Sequence, residues 1–481
     1  MSKPLWLHQR DAIRAAEAVP DLGLLMEQGT GKTRTMIEIL RRKYAKAGRI
    51  QRTLIFAPII VCENWKQEFK LYSKVHQGDI SVLTGPSKKR INEVIRQVGE
   101  DASQGKIFIT NYEACQMTDL YKLLMVWQPE ILICDESQRV KNHESMRARA
   151  VAAIADTTAH NFILTGTPIL NSPMDIFMQF RILDRGKTFG KNFYSFRGQF
   201  FEDANVGFKG KQSYFPKWEA RPLAYGELHD KIKRKALRVI KSECLDLPPF
   251  LRQEVSVSLS PEQARMYKEM HNEFVTFIDS KKGEPQAVVA QLAVTKAMKL
   301  QQIVSGFAKD ENGEVHRIKD NPRIKVLSEL LQDITPGSKV IVWSHFKENQ
   351  RMITELCDSL KIEYREIHGD IPHSDREANM KAFRSNPNVR VMVANQAAGG
   401  VGINLVEASY MIYYSKGFKL EDDLQSEARA YRGGSEVHEK ITRIDLVGTG
   451  TIDEHINEVL ASKQNVSDTI LSWSKNESKK K

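Results

Sequence analysis

Residues 22–33 read Leu22-Gly-Leu-Leu-Met26-Glu-Gln-Gly29-Thr30-Gly31-Lys32-Thr33. An apolar run enters a glycine-rich turn, and Thr35 to Tyr44 then reads as a helix. That order predicts a buried strand, a tight loop and a helix N-terminus, which together form a phosphate cradle. Glycines let backbone amides approach phosphate oxygens, and the helix end favours the anion. Lys32 would bring a point charge to the β- and γ-phosphates, and Thr33 would set its hydroxyl on Mg2+. Gly29, Thr30, Gly31, Lys32 and Thr33 are therefore the expected nucleotide-binding residues. The general pattern asks for glycine five positions before Gly31, where this chain has Met26.

The same rhythm continues beyond the loop. Arg52-Thr-Leu-Ile-Phe-Ala57, Lys106-Ile-Phe-Ile-Thr110, Ile131-Leu-Ile-Cys134 and Asn161-Phe-Ile-Leu-Thr165 are buried-strand candidates separated by helical stretches. Such alternation predicts a parallel sheet covered on both faces. Asp135-Glu136 follows one strand directly, where ligands of parallel sheets bind. Asp135 would hold Mg2+, and Glu136 would orient or deprotonate an attacking water; the alternative is a solvated acidic turn. Thr165-Gly-Thr167-Pro168 ends the next strand, either as a plain turn or as hydroxyls that bond the acidic pair and relay its state.

After about Asp184 the rhythm lapses. Residues 185–245 are rich in Lys, Arg and Phe and read as helices plus loops. Within them Lys231, Lys233, Arg234 and Lys235 form either a solvated helix face or a basic strip for a polyanion. Asp246-Leu-Pro248-Pro249 reads as a linker, and 260–305 as amphipathic helices. A second alternation starts near Arg323, with strands at Lys339–Trp343, Val389–Ala394, Tyr410–Tyr414 and Lys440–Asp445. The expected division is a first lobe at 1–184, a helical protrusion at 185–245 and a linker at 246–259. A second protrusion at 260–320, a second lobe at 321–465 and a C-terminal brace with a basic tail at 466–481 complete it.

The 481 residues are too many for one ordinary core, and 41% hydrophobic with 27% charged residues is a soluble globular balance. No apolar run approaches the roughly 18 residues of a membrane span. Met-Ser-Lys-Pro-Leu-Trp-Leu-His at the start has no signal-peptide pattern. Five scattered cysteines form no CxxC pair, which argues against a zinc ribbon or disulfide framework and fits a reducing cytosol. A net charge of +11 is compatible with a polyanionic partner. Near the end, Gln425-Ser-Glu-Ala-Arg429-Ala-Tyr-Arg432 carries two arginines three apart, either a solvated helix face or a group aimed at phosphate.

Together these motifs resemble the Swi/Snf-type DNA translocases of helicase superfamily two, over most of the chain. Leu7-His8-Gln9-Arg10 is similar to the family's adenine-reading segment, with Gln9 as the base contact. The family's loop reads GxGKT without the early glycine, so Met26 fits it. Asp135 to Asn142 resembles the DEAH-R-x-K-N box, with Ser137-Gln138 in place of Ala-His. Leu164-Thr-Gly-Thr-Pro168 with Asn171 is a close match. Leu54 to Pro58 with Asn64-Trp65-Lys66 resembles the first DNA-facing motif, and Ile109-Thr-Asn111-Tyr112-Glu113 the second. Trp65 is read either as packing on the lobe or as a DNA contact.

Trp343-Ser-His345-Phe346, Ile367-His368-Gly-Asp370 with Arg376, and Asn395 to Leu405 with Gly399, Gly400 and Gly402 resemble motifs of the second lobe. Ser415-Lys-Gly-Phe418 departs from the family's D-x-x-W-N-P, and Thr451 to Ile456 is similar to its GTIEEKI segment.

The resemblance implies an α/β fold of two RecA-like parallel-sheet lobes with helical protrusions inserted between them. It implies ATP and Mg2+ as cofactors, with Lys32, Asp135, Glu136, Gln425, Arg429 and Arg432 catalytic. Gln9, residues 29–33 and Gly402 would bind nucleotide, and Thr33 and Asp135 the metal. Trp65, Asn111, Arg139, Lys141, Asn142, Thr167, Asn171, His345, His368, Gly399 and Gly400 would face DNA. The expected partner is double-stranded DNA, forked or branched forms included, with no membrane. The protein is expected to be a monomer in the cytoplasm of a prokaryotic or virus-infected cell. Rival readings are a strand-separating or fork-remodelling helicase and a catalytically silent nucleic-acid scaffold.

Overall fold

Central strands of both sheets are continuous apolar runs, and this decides the layering. The computed structural model describes residues 4–99, 105–204, 217–280, 286–310, 312–397 and 403–471. The chain divides into two compact units, Met1–Glu202 with Trp218–Asp246 and Lys463–Lys481, and Asp203–Lys217 with Leu247–Ser462.

In chain order the strands are β1 (Leu22–Met26), β2 (Thr53–Phe56), β3 (Ile80–Leu83), β4 (Ile107–Thr110), β5 (Ile131–Asp135), β6 (His160–Leu164), β7 (Phe201–Asp203), β8 (Trp218–Ala220) and β9 (Ala236–Val239). They continue with β10 (Phe250–Val257), β11 (Phe307–Lys309), β12 (Val315–Arg317), β13 (Val340–Ser344), β14 (Tyr364–Ile367), β15 (Val391–Asn395), β16 (Tyr410–Tyr413) and β17 (Ile441–Gly448).

The first sheet has the order β3-β4-β2-β5-β6-β1-β9, and every pairing in it is parallel. Leu54 and Phe56 of β2 enter one core, while Ile55 enters the other. A parallel sheet needs this cover on both faces, which is why its strands read as unbroken apolar runs. The second sheet, β10-β17-β16-β13-β15-β14, is parallel throughout and built alike. Val340 and Val342 face one of its cores, and Ile341 and Trp343 the other. The expected α/β plan of two parallel-sheet lobes is therefore observed.

Eight strands lie outside the sequence expectation: the four edges of the large sheets, β3 and β9 in the first and β10 and β14 in the second, and the two small pairs β7-β8 and β11-β12. An edge strand pairs on one side and carries polar residues, so its apolar signal fades. Residues Phe250–Val257, expected within a linker, pair with Ile441–Gly448 over eight positions despite being mostly exposed. Ala236–Val239, expected among helices and loops, adds β9 beside β1. Phe189, Phe196 and Phe200 also pack into the first unit's core, with Phe177 and Phe180. The 260–305 region is helical as expected, at Pro261–Ser280 and Gln286–Ser305.

Candidate active site

The carboxyl ends of adjacent strands β5, β6 and β1 carry the acidic pair, the Thr165 turn and the glycine loop. Ligands of parallel sheets bind at such ends. Gly29 and Gly31 both adopt positive φ, 86° and 81°. Gly31 caps the helix Lys32–Ala47. The positive φ favours glycine there, and a Cβ would lie 2.3 Å from Gln9 Nε2 and displace that side chain. Gln9 is buried: its Oε1 accepts from the Trp6 amide at 3.0 Å, and its Nε2 donates to Gly31 O at 3.5 Å. His8 Nε2 lies 2.9 Å from Thr30 O. The 6–9 segment is thus fastened to the loop. Thr30 Oγ1 donates to Glu27 O at 2.7 Å, and Lys32 Nζ donates to Met26 O at 2.9 Å, across the turn.

Asp135 ends β5 and is 5% exposed. Its Oδ1 accepts from the Glu136 amide at 3.0 Å and its Oδ2 from Trp65 Nε1 at 2.9 Å. Burial first, then the neighbouring Glu136 carboxylate, push Asp135 above the ordinary carboxylate range. Glu136 holds a left-handed backbone, φ 51°, uncommon for a non-glycine residue. Glu136 Oε2 accepts from Gln138 Nε2 at 2.8 Å, and Gln138 Oε1 accepts from Thr165 Oγ1 at 2.7 Å. Thr165 Oγ1 in turn accepts from the Thr167 amide at 3.0 Å.

A second line of bonds runs beside the first. Ser137 Oγ donates to Gln179 Oε1 at 2.7 Å, and Gln179 Nε2 donates to Pro168 O at 2.6 Å. Asp175 Oδ2 accepts from Lys141 Nζ at 3.0 Å and from the amides of Leu170 and Asn171 at 3.0 and 2.8 Å. A Cβ on Gly166 would lie 3.2 Å from Glu27 Cα, so the Thr165 turn also lies against the glycine loop. The Thr165 hydroxyl thus reaches Glu136 through Gln138 rather than by a direct bond to the acidic pair.

Two expected DNA contacts are corrected. Trp65 is fully buried and spends its indole donor on Asp135, so it packs inside the lobe. Asn111 is 5% exposed; its Oδ1 accepts from Arg90 Nη1 at 2.5 Å and its Nδ2 donates to Glu113 Oε2 at 2.7 Å. Asn142 and Asn171 are exposed, while Arg139, Lys141 and Thr167 are partly exposed.

In the second unit His345 is partly exposed, and burial holds its imidazole below the usual value. Its amide donates to Ser415 Oγ at 2.9 Å. His368 lies 3.4 Å from Glu366 Oε2. Gly399, Gly400 and Gly402 lie outside the described residues.

The helix Leu420–Glu427 carries Gln425, which is buried and donates to Glu421 Oε1 at 3.1 Å. Arg429 is 5% exposed and donates to Ile403 O at 3.2 Å, whereas Arg432 is partly exposed. The two arginines therefore differ in environment. Beneath this helix Arg443, 1% exposed, pairs with Asp423 at 2.7 Å, Glu427 at 3.1 Å and Asp445 at 2.9 Å. Its guanidinium stands 3.9 Å from the Tyr413 ring centroid. Sequence reasoning missed this cluster; the i, i+4 carboxylates Asp423 and Glu427 were the available signal.

The SNF2-related domain family matches residues 14–306, and the helicase conserved C-terminal domain matches residues 322–434. The Danio rerio chromodomain-helicase-DNA-binding protein 1-like is 26% identical over 454 residues, covering 92% of this chain and 41% of that protein. The human DNA repair and recombination protein RAD54B is 24% identical over 492 residues, covering 93% and 52%. The chain spans about half or less of the length of these curated relatives. It is also similar to the solved Sulfolobus solfataricus SWI2/SNF2 ATPase core in complex with dsDNA, at 23% identity and a TM-score of 0.44, over 98% of this chain and 94% of that one. With the glycine loop, the acidic pair and the Thr165 turn on neighbouring strand ends, and with the family match spanning both sheets, the chain belongs to the SNF2-related ATPases of helicase superfamily two.

Proposed function

We propose that the protein is a DNA-stimulated ATP hydrolase that translocates along double-stranded DNA. The observation carrying this reading is the bonded line Glu136–Gln138–Thr165, which ties a candidate water-orienting carboxylate to a loop beside partly exposed polar residues. Lys32 would exchange its bond to Met26 O for phosphate oxygens. The Thr33 hydroxyl and the Asp135 carboxylate are hard oxygen donors of the kind Mg2+ prefers. Mg2+ bound there would neutralise charge developing on the phosphate oxygens. Glu136 would align the attacking water and take its proton. Arg432 is the better candidate for a guanidinium that meets phosphate, because it is partly exposed whereas Arg429 is buried. ATP-driven closing and opening of the two lobes would then advance loops along one strand. Phosphate contacts through amides and hydroxyls would position the duplex without reading sequence.

Membership of the SNF2-related family and the net charge of +11 support a duplex partner. No helix among the described residues is long and apolar enough to cross a membrane. The deciding experiment compares ATP turnover on single-stranded, blunt duplex and forked DNA and on RNA. Stimulation by blunt duplex is expected. Turnover raised by single strands but indifferent to duplex would replace this reading with a strand-separating helicase. Unchanged turnover in Glu136→Gln would refute the active-site assignment.

A further inference from the structure

We propose that Trp65 and Tyr112 are positioning residues that fix Asp135 and tie it to the helix Ile59–Tyr72 and the turn Tyr112–Gln116. Both aromatic rings are fully buried, and both spend their only strong polar donor on this one residue. Trp65 Nε1 donates to Asp135 Oδ2 at 2.9 Å, and the Tyr112 hydroxyl donates to Asp135 O at 2.7 Å. A buried indole N–H or phenol left without a partner is costly, so neither bond is incidental.

The two donors come from different places. Trp65 sits on the helix Ile59–Tyr72, which follows β2 and turns Glu63 and Asn64 to solvent. Tyr112 begins the single turn Tyr112–Gln116 after β4, and its ring stacks on Phe56 at 5.6 Å and 19°. Strands β4, β2 and β5 are neighbours in the sheet, so both donors reach Asp135 from the same side of its strand order.

With Oδ1 held by the Glu136 amide and Oδ2 by the indole, the carboxylate has one orientation. Each carboxylate oxygen keeps a second lone pair for a cation or its water. A shift of the Ile59–Tyr72 helix or of the Tyr112 turn must therefore move or release Asp135. This gives a physical route by which a ligand that displaces either segment alters the nucleotide site. The inference rests on the ATPase reading above and extends it to the regulation of that site.

The test uses the full chain with Trp65→Phe and Tyr112→Phe, which remove a donor and keep a ring. Phe69→Leu is the packing control: Phe69 is buried beside Trp65, 6.1 Å between rings, and bonds nothing polar. The first readout is Mg2+-dependent binding of ADP by calorimetry, with no turnover involved. The half-saturating Mg2+ concentration should rise about five-fold for each lost bond, the weight of one net hydrogen bond. The second readout is the ratio of turnover with and without duplex DNA, which should fall in both variants.

An unchanged Mg2+ dependence in Trp65→Phe and Tyr112→Phe overturns the proposal. So does an equal shift in Phe69→Leu, which would assign the effect to packing. If wild-type turnover ignores duplex DNA, the translocase reading fails while the Mg2+ titration still decides the positioning of Asp135.

Discussion

Replacing Gln138 by leucine keeps its volume and removes both of its bonds in the line from Glu136 to Thr165. Gln138 is 2% exposed and Thr165 is fully buried, so water offers no ready substitute. A net hydrogen bond between neutral groups is worth about 1 kcal/mol, and one to a charged group roughly 1.5–3 kcal/mol. The two bonds at 2.8 and 2.7 Å together represent about 3 kcal/mol. Part of that appears as stability and part as freedom gained by the Glu136 carboxylate. If about half raises the barrier to hydrolysis, turnover falls roughly ten-fold. Steady-state ATPase rates at saturating duplex DNA and ATP, with thermal unfolding of the same samples, separate the two shares. Thr165→Val removes the other end of the line, so the double variant should lose less than the sum, with a coupling of about 1 kcal/mol. Turnover within two-fold of wild type at unchanged stability, or strictly additive losses, would refute the relay.

Other consequences are equally direct. Lys32→Ala should abolish binding of ATP or its hydrolysis; equilibrium binding and turnover together identify which. Arg432→Ala should keep DNA affinity while losing about 10^3-fold in turnover, whereas Arg429→Ala should first lower the melting temperature. Arg443→Met strips the buried counter-charge from Asp423, Glu427 and Asp445 and should destabilise the second unit by about 3–5 kcal/mol in chemical denaturation. Burial alone would raise Asp445, but Arg443 and Lys416 beside it outweigh burial and hold its folded-state pKa below the unfolded one. That contribution is complete above the unfolded value of about 4 and is lost as pH falls through the lower folded value. Arg443→Met should therefore begin to unfold at higher pH than wild type, and identical acid midpoints would contradict the assignment.

Interior strands announced themselves because both of their faces are buried, and runs such as Leu54-Ile-Phe56 leave no room for polar residues. Edge strands did not. Phe250–Val257 carries Arg252, Gln253 and Glu254, and its order comes from backbone pairing with β17, which side-chain pattern cannot report. The glycine loop, Asp135-Glu136 and Thr165 were legible because each directly follows an apolar strand. Side-chain direction within the flanking segments was not. Trp65 stands between polar Asn64 and Lys66, and nothing in that triplet says that the helix turns its indole inward. Asn111 looks polar and available, yet Arg90, distant in sequence, claims it. The replacement of the family's histidine by Gln138 was visible, but its role required the third dimension.

The first unit is completed by residues far along the chain from its sheet. Ile470 and Leu471 belong to the same core as Phe177 and Leu228, His229 Nδ1 lies 2.9 Å from Ile470 O, and Arg238 pairs with Asp468 at 2.7 Å. All seven strands of the first sheet leave the ribosome by residue 239, yet the surface that these C-terminal residues cover stays open until more than 220 further residues, counted from 239 to 463, have been made. Loop closure over so long a span is slow, and apolar surface left waiting invites aggregation. Expression of a fragment ending before Lys463 should thus yield a sheet with an uncovered apolar patch, and nascent chains of the intact protein pass through that same vulnerable stage each time they are made.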